Sequence, residues 1–357
     1  MTANRYIRQE QLLEFGPEAQ EKLKNAAVLV VGLGGLGIPV LHYLNAMGIG
    51  RLGLVDDDTV DTSNLHRQVL YNEADVGQSK MALCLAKLRA QNSETQLDVH
   101  ETYLNRENSL DIIGNYDLVI DASDNFPTRY LINDTCVILD KPFIYGALHG
   151  FEGQVSVFNL NGGATYRCLF PVMPGGSEVP NCDENGVLGV LPGIVGNFQA
   201  LEAVKTITGI GEVLSGQLLL YNGLSASIHK IRFPRDPKQG KIVSLRDSYS
   251  VPCSISDQEI DALKLPEAIN SELNYALIDV RNPDEFYEDH LEGSDNIPLD
   301  KLNNERLHFD ADKVFLICQS GARSLQGRDV LQKRFPEVTF INVRGGLNRI
   351  RAAKLWA

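Results

Sequence analysis

Residues 26–37 read AAVLVVGLGGLG, and they decide the fold of the N-terminal half of the chain. The apolar run Ala26 to Val31 predicts a buried strand, and the glycines that follow predict a tight turn into a helix. A second predicted strand, Arg51 to Val55, ends in Asp56. Because a parallel strand needs a crossover connection, this order predicts the opening βαβ unit of a doubly wound sheet.

The glycine pattern is also typical of a nucleotide site. Glycines let backbone N–H groups approach a phosphate, and the N-terminus of the next helix contributes partial positive charge. Asp56 lies 24 residues after Gly32, where a carboxylate can accept hydrogen bonds from a ribose. The alternative is a glycine turn without a ligand, and it leaves the acid unexplained.

Two cations and a second acid favour a triphosphate over a dinucleotide. Arg67 and Lys80 suit the β- and γ-phosphates, although each alone would more often be a surface residue. Asp124 follows the predicted strand Asp117 to Ile120, at the edge where ligands of such sheets bind, and could hold Mg²⁺. The alternative role for Asp124 is a helix N-cap.

These motifs resemble those of the MoeB/ThiF-type adenylyltransferases, which activate ubiquitin-like sulfur-carrier proteins. The resemblance covers nearly all of residues 1–235. It implies a Rossmann-like doubly wound sheet of the ubiquitin-activating-enzyme type that uses ATP and Mg²⁺. It also implies that Arg8 reaches the ATP phosphates of a partner subunit, and hence a homodimer. The residues implied to contact ATP or its Mg²⁺ are Gly35, Asp56, Asn64, Arg67, Gln68, Lys80, Asp124 and Asn125, with Asp124 as the metal ligand.

The implied chemistry needs charge neutralisation and alignment. Attack of a terminal carboxylate on the α-phosphate of ATP converts a poor acyl donor into an acyl-adenylate. Arg8, Arg67, Lys80 and Mg²⁺ could supply most of the catalysis without a side-chain nucleophile.

Cys182 lies in a glycine- and proline-rich stretch, residues 161–196, that predicts a long crossover loop. The resemblance implies that this cysteine bonds to, or resolves, the activated carrier, whereas an inert buried thiol is the alternative. Many relatives bind zinc through two Cys-x-x-Cys pairs. Here the first pair is reduced to Cys168 and no second pair appears, so no zinc is expected and Cys168 is predicted to be a packing residue.

A second α/β pattern follows a polar stretch. The apolar strand Val314 to Ile317 runs into Cys318-Gln319-Ser320-Gly321-Ala322-Arg323, followed by a predicted helix. Amides and a helix N-terminus would converge on the sulfur of Cys318, which stabilises a thiolate or persulfide. Arg323 would add a fixed charge.

This region resembles a single rhodanese (sulfurtransferase) domain, with supporting motifs at 279–286, 290–298 and 345–347. The resemblance implies that Cys318 carries a persulfide and that Arg323 helps to bind the sulfur donor. Asp279 and Arg281 are interpreted as structural, and a non-catalytic rhodanese fold is the alternative. The predicted organisation is an adenylyltransferase domain at 1–235, a linker at 236–264 and a smaller α/β rhodanese domain at 265–357.

Composition and charge limit the kinds of partner and the compartment that we expect for this protein. The chain has 357 residues and a formal net charge of −13, which disfavours nucleic acid. No apolar run could span a membrane and no secretory signal is apparent, so a cytoplasmic protein is expected. Its six cysteines are scattered and predicted to be free thiols.

Together the domains predict conversion of the C-terminal glycine carboxylate of a Gly-Gly carrier into a thiocarboxylate, in a molybdopterin, thiamine or related sulfur pathway. The sulfur donor would be thiosulfate or a cysteine desulfurase. Two alternatives stay open: an NAD(P)-dependent oxidoreductase, and a carrier-docking protein that nucleotide only stabilises.

Overall fold

The computed structural model describes residues 5–174, 186–239, 241–249, 258–272, 274–303 and 306–352. They form two compact units, one ending at residue 249 and the other beginning at residue 258. No helix in these ranges is both long enough and apolar enough to cross a membrane.

The first unit is built on an eight-stranded mixed sheet with the order β3-β2-β1-β4-β5-β6-β7-β8. The first five strands in this order are parallel, and the remaining pairings are antiparallel. The strands are β1 (Ala27–Val31), β2 (Arg51–Val55), β3 (Gln96–His100), β4 (Leu118–Asp121), β5 (Phe143–His149), β6 (Glu152–Phe158), β7 (Gln217–Asn222) and β8 (Ser227–Arg232).

Helices cover both faces of this sheet, as the doubly wound prediction requires. Val28 and Val30 of β1 pack into one hydrophobic core, and Leu29 and Val31 pack into another, because successive side chains of a strand point to opposite faces. The helices of this unit are α1 (Ile7–Glu10), α2 (Gly16–Asn25), α3 (Gly37–Ala46), α4 (Lys80–Gln91), α5 (Ser109–Gly114), α6 (Phe126–Ile138), α7 (Tyr166–Leu169) and α8 (Val190–Thr208).

The prediction of a continuous loop over 161–196 is wrong at both ends. Helix α7 lies inside it, and α8 already begins at Val190. The reason lies in Gly196 of α8, which is a packing residue. A Cβ on Gly196 would lie 2.5 Å from the carbonyl oxygen of Leu36, so glycine is needed where α8 crosses the start of α3.

The second unit has five parallel strands in the order β11-β10-β12-β13-β9. Its sheet also separates two hydrophobic cores. The strands are β9 (Glu259–Asp261), β10 (Tyr275–Asp279), β11 (Ser294–Asn296), β12 (Lys313–Ile317) and β13 (Thr339–Arg344), and the helices are α9 (Leu265–Ser271), α10 (Pro283–Glu288), α11 (Ala322–Arg334) and α12 (Gly346–Ala352).

The stretch predicted as a linker, 236–264, contains ordered residues of both units. Tyr249 is buried in the first unit, where its hydroxyl donates to Oδ2 of Asp134 at 2.7 Å. Asp134 also pairs with the buried Arg167, with 2.6 Å between Oδ1 and Nε. Near the other end of the stretch, β9 pairs with β13 in the second unit.

Candidate active site

The carboxyl ends of β1 and β4 form a crevice, which is where open α/β sheets bind ligands. Gly32 follows β1 with a φ of +102°, in the left-handed region that favours glycine. A Cβ there would lie 2.7 Å from the carbonyl oxygen of Ala122, just after β4. The glycine loop 32–37 therefore packs directly against the end of β4.

Two further segments pack against this loop. A Cβ on Gly35 would lie 2.8 Å from Cβ of Pro192 in α8 and 3.4 Å from the carbonyl oxygen of Arg67. At Gly189, a Cβ would lie 2.1 Å from the carbonyl oxygen of His66. The structure thus brings together the glycine loop, the segment around Arg67 and the start of α8.

Asp56 braces the glycine loop from the end of β2. Its Oδ2 accepts from the N–H of Leu33 at 2.7 Å, and its Oδ1 accepts from the N–H of Asp58 at 2.8 Å. Burial raises the pKa of Asp56, although these two hydrogen bonds act in the opposite direction. Asp56 thus links the end of β2 to the glycine loop.

Lys80, the first residue of α4, lies at the same edge of the sheet. Its Nζ is 3.0 Å from Oδ2 of Asp58, and its side chain is only 6% exposed. Burial tends to raise the pKa of Asp58, but hydrogen bonds from Tyr103 and Lys80 outweigh it and hold that pKa below its usual value. Asp58 was not predicted as a site residue, because the acidic run 56–58 does not show which of its carboxylates pairs with Lys80.

Asn64, Arg67 and Gln68 lie on and after a short 3₁₀ turn, residues 62–64. Oδ1 of Asn64 accepts from the N–H of Asp61 at 3.2 Å, and Nη1 of Arg67 donates to the carbonyl of Ser63 at 2.8 Å. Gln68 is buried, and its Nε2 lies 3.5 Å from where a Cβ on Gly34 would be. Its Oε1 is buried without a hydrogen-bond partner among the described residues. These contacts hold the segment beside the glycine loop.

The end of β4 carries a buried acid and an exposed one. Oδ1 of Asp121 accepts from the hydroxyl of Ser123 at 2.6 Å, and burial raises the pKa of Asp121 to about 6. Asp124 is exposed. The N-cap of α6 is Asn125, whose Oδ1 accepts from the N–H of Thr128 at 2.9 Å, so the alternative role of Asp124 as that cap is wrong.

Asp124 fits one kind of magnesium site. Within the described ranges no group of three or more His, Cys, Asp or Glu side chains could hold a metal ion. A single carboxylate suits an ion that fills its other positions with phosphate oxygens and water. Asp124 would hold such an ion, which would neutralise phosphate charge.

Arg8 and Cys182 were also predicted to be catalytic. Arg8 is exposed on α1. Cys182 lies outside the described residues. Cys168 is half-buried, and its Sγ accepts from the N–H groups of Thr165 and Asp236 at 3.3 and 3.2 Å, so it joins α7 to the chain after β8.

In the second unit, Cys318 lies at the end of β12 with its sulfur surrounded by donors. Sγ accepts from the N–H of Gly321 at 3.1 Å and from the N–H and hydroxyl of Ser324, both at 3.4 Å. A Cβ on Gly346 would lie 2.2 Å from the carbonyl oxygen of Cys318. The start of α12 therefore packs directly against the loop 318–323. The donors around Sγ make this loop suited to stabilising negative charge on sulfur.

Arg281 and Arg323, which contact or belong to this loop, are each paired with a carboxylate. Arg281 forms a buried ion pair with Asp279 and donates to Oε1 of Gln319 at 3.2 Å, which ties β10 to the loop. Arg323 donates from Nη1 and Nη2 to the two carboxylate oxygens of Glu285, at 2.6 and 2.7 Å. Glu285 lies in the motif 279–286 but was not predicted to pair with Arg323.

Comparisons with known proteins agree with this two-part organisation. A model of the ThiF family matches residues 6–242, and a model of the rhodanese-like domain matches residues 261–353. The chain is 52% identical over 240 residues to the sulfur carrier protein adenylyltransferase of Thermus thermophilus, covering 66% of this chain and 89% of that protein. It is 38% identical over 372 residues to the adenylyltransferase and sulfurtransferase MOCS3 of Drosophila persimilis, covering 96% and 82%.

Solved structures resemble the first part of the chain. The crystal structure of E. coli MccB with MccA-N7isoASN superposes with a TM-score of 0.59 at 26% identity, covering 66% of this chain and 73% of that one. The structure of E. coli MccB with ATP gives a TM-score of 0.58 at 25% identity, with the same coverage. The oxidoreductase alternative has no support among these proteins. The chain belongs to the ThiF family, as an adenylyltransferase whose C-terminal unit is a rhodanese-like sulfurtransferase domain.

Proposed function

We propose that this protein adenylylates the C-terminal glycine carboxylate of a ubiquitin-like sulfur-carrier protein and then converts it into a thiocarboxylate. The observation that supports the proposal is that one chain contains two sites, each suited to a different reaction. A glycine loop with Lys80 and Arg67 beside it suits a triphosphate, and the hydrogen-bonded sulfur of Cys318 suits a persulfide.

In the first step, a carboxylate oxygen of the carrier attacks the α-phosphorus of ATP and pyrophosphate leaves. The glycine loop 32–37 would lie along the phosphates, and Arg67 and Lys80 would offset their charge. Asp124 would hold Mg²⁺. Arg8, exposed on α1, would reach the nucleotide of the partner subunit in a homodimer.

In the second step, the terminal sulfur of the Cys318 persulfide attacks the acyl carbon and AMP leaves. This forms an acyl disulfide between the carrier and Cys318. The thiol of Cys182 then attacks the sulfur of Cys318, and the thiocarboxylate leaves with the electron pair of the broken S–S bond. An external thiol must reduce the resulting Cys182–Cys318 disulfide before the next turnover, so a reducing cytoplasm is the compartment we infer.

Names of the relatives support the carrier as substrate, since the Thermus thermophilus protein is named for a sulfur carrier. The pathway we propose is molybdopterin, thiamine or a related sulfur-requiring one. We expect the macromolecular partner to be a sulfur carrier ending in Gly-Gly. Neither nucleic acid nor a membrane is an expected partner.

Carrier-dependent exchange of labelled pyrophosphate into ATP tests the first step. Exchange should require both a carrier ending in Gly-Gly and Mg²⁺, and it should persist in Cys318→Ser. ATP binding without any carrier-dependent exchange would reject adenylylation and favour a docking protein.

A further inference from the structure

The positive charge at the Cys318 loop is offset within the protein itself. The bidentate contact of Arg323 with Glu285 uses both terminal nitrogens of the guanidinium. Arg281, which contacts the loop through Gln319, already pairs with the buried Asp279. Arg281 and Arg323 therefore each have their own carboxylate.

Glu285 keeps its charge. The Arg323 guanidinium, together with the N–H of Asn282, lowers the pKa of Glu285 to about 2 despite partial burial. Glu285 belongs to α10, which also carries the exposed residues Asp284 and Glu288. The Arg323–Glu285 pair therefore stays ionised at neutral pH and carries no net charge.

The sulfur itself is stabilised by uncharged donors. The N–H groups of Gly321 and Ser324, with the Ser324 hydroxyl, suit the single negative charge of a thiolate or persulfide. A thiosulfate dianion brings additional charge, which is bound best by an arginine or lysine without a competing carboxylate.

We propose that Glu285 selects the sulfur donor: by pairing with Arg323 it makes the Cys318 loop accept sulfur from a persulfide in preference to thiosulfate. The inference rests on the proposed function in taking Cys318 as the sulfur acceptor. The Cys318 thiolate attacks the terminal sulfur of the donor, the donor's S–S bond breaks, and the donor leaves as a thiolate. With thiosulfate the leaving group would be sulfite, and neither reaction needs an oxidant.

The test measures how fast Cys318 of the full chain gains one sulfur, by mass spectrometry after alkylation. The donors are thiosulfate, glutathione persulfide and a cysteine desulfurase loaded with cysteine, which separates small from protein-bound persulfides. In Glu285→Gln the thiosulfate rate relative to either persulfide rate should rise about fivefold, the size expected for freeing one partly exposed charge. Asp284→Asn, on the same helix, is the matched control and should leave the ratio unchanged.

A double variant, Glu285→Gln with Arg323→Gln, replaces the pair with a neutral one of similar shape. Its donor ratio should equal that of the wild type, because the pair is already neutral. A several-fold fall in thiosulfate loading would mean that Arg323 serves thiosulfate despite Glu285, and would overturn the inference. So would an unchanged ratio in Glu285→Gln.

The outcomes also separate this inference from the proposed function. If Cys318 loads with the expected donor preference but no carrier gains sulfur, the proposed function fails and donor selection stands. If no donor loads Cys318, both fail.

Discussion

Lys80 is nearly enclosed by protein, yet its ammonium group lies at the carboxyl edge of the sheet beside the half-exposed Asp58. We expect Lys80→Gln to lower carrier-dependent pyrophosphate exchange by about 100-fold, because a fixed charge near the phosphates would be lost. Arg89→Gln is the control, since Arg89 is exposed on the same helix. Equal exchange rates in the two variants would remove Lys80 from the site.

Asp121 predicts a specific pH dependence of stability. Its pKa is raised to about 6 in the folded protein, from 3.8 for an unburied group. The unfolded chain therefore releases this proton first as pH rises, and the contribution to stability is full below about pH 4 and lost on passing through about pH 6.

Asp121→Asn removes the titrating carboxyl group, so the variant does not lose this stability as the pH rises. Relative to the wild type, the free energy of unfolding of the variant should rise between pH 4 and pH 6 by up to about 3 kcal/mol. Urea unfolding at several pH values measures this difference. Parallel stability curves for the two proteins would contradict it.

For single residues, the sequence predicts some positions in the site but not which side chains pair. The positions of Asp56 and Cys318 follow from their place after predicted strands, because strand ends fix which edge a residue reaches. The pairing of Arg323 with Glu285 joins residues 38 positions apart, and only side-chain packing decides it. For the same reason Asp58 could not be recognised as the partner of Lys80.

At the scale of elements, α8 offers a matched pair of glycines. A Cβ on Gly196 would lie 2.5 Å from Cγ of Pro39, whereas a Cβ on Gly193 would meet nothing within 4 Å. We expect Gly196→Ala to lower the free energy of unfolding of the first unit by about 2 kcal/mol, through overpacking. Gly193→Ala should be neutral or raise it by up to about 1 kcal/mol, through helix propensity. Similar melting temperatures for the two variants would show that α8 does not cross α3 so closely.

Elements with a clear apolar pattern are the ones that the sequence predicts well. β2 has the predicted bounds, Arg51–Val55, because its apolar run ends directly in an acid. The start of α8 was missed since its glycines and proline read as a loop, although Gly196 is in close contact with the start of α3. The polar strands β3 and β8 were missed because they lie at the edges of the sheet, with exposed residues and little apolar pattern.

At the scale of the whole molecule, the boundary of the first unit can be tested by truncation. A chain ending at residue 235 loses Tyr249, whose hydroxyl donates to the buried Asp134, whereas a chain ending at residue 251 keeps it. We expect the longer fragment to be more stable by about 3 kcal/mol, from the buried aromatic ring and its hydrogen bond. Chemical denaturation compares the two, and equal stabilities would assign residues 236–251 to a linker.

The central claim is that one chain both activates a carboxylate and delivers sulfur to it. The most direct measurement is the intact mass of carriers ending in Gly-Gly after incubation with the full chain, Mg-ATP, a persulfide donor and a thiol reductant. Cys318→Ser is the test variant and Cys168→Ser the control. We predict replacement of one carrier oxygen by sulfur with the wild type and with Cys168→Ser, and none with Cys318→Ser. A carrier that is adenylylated but never gains sulfur, or that gains it equally with Cys318→Ser, would contradict the account.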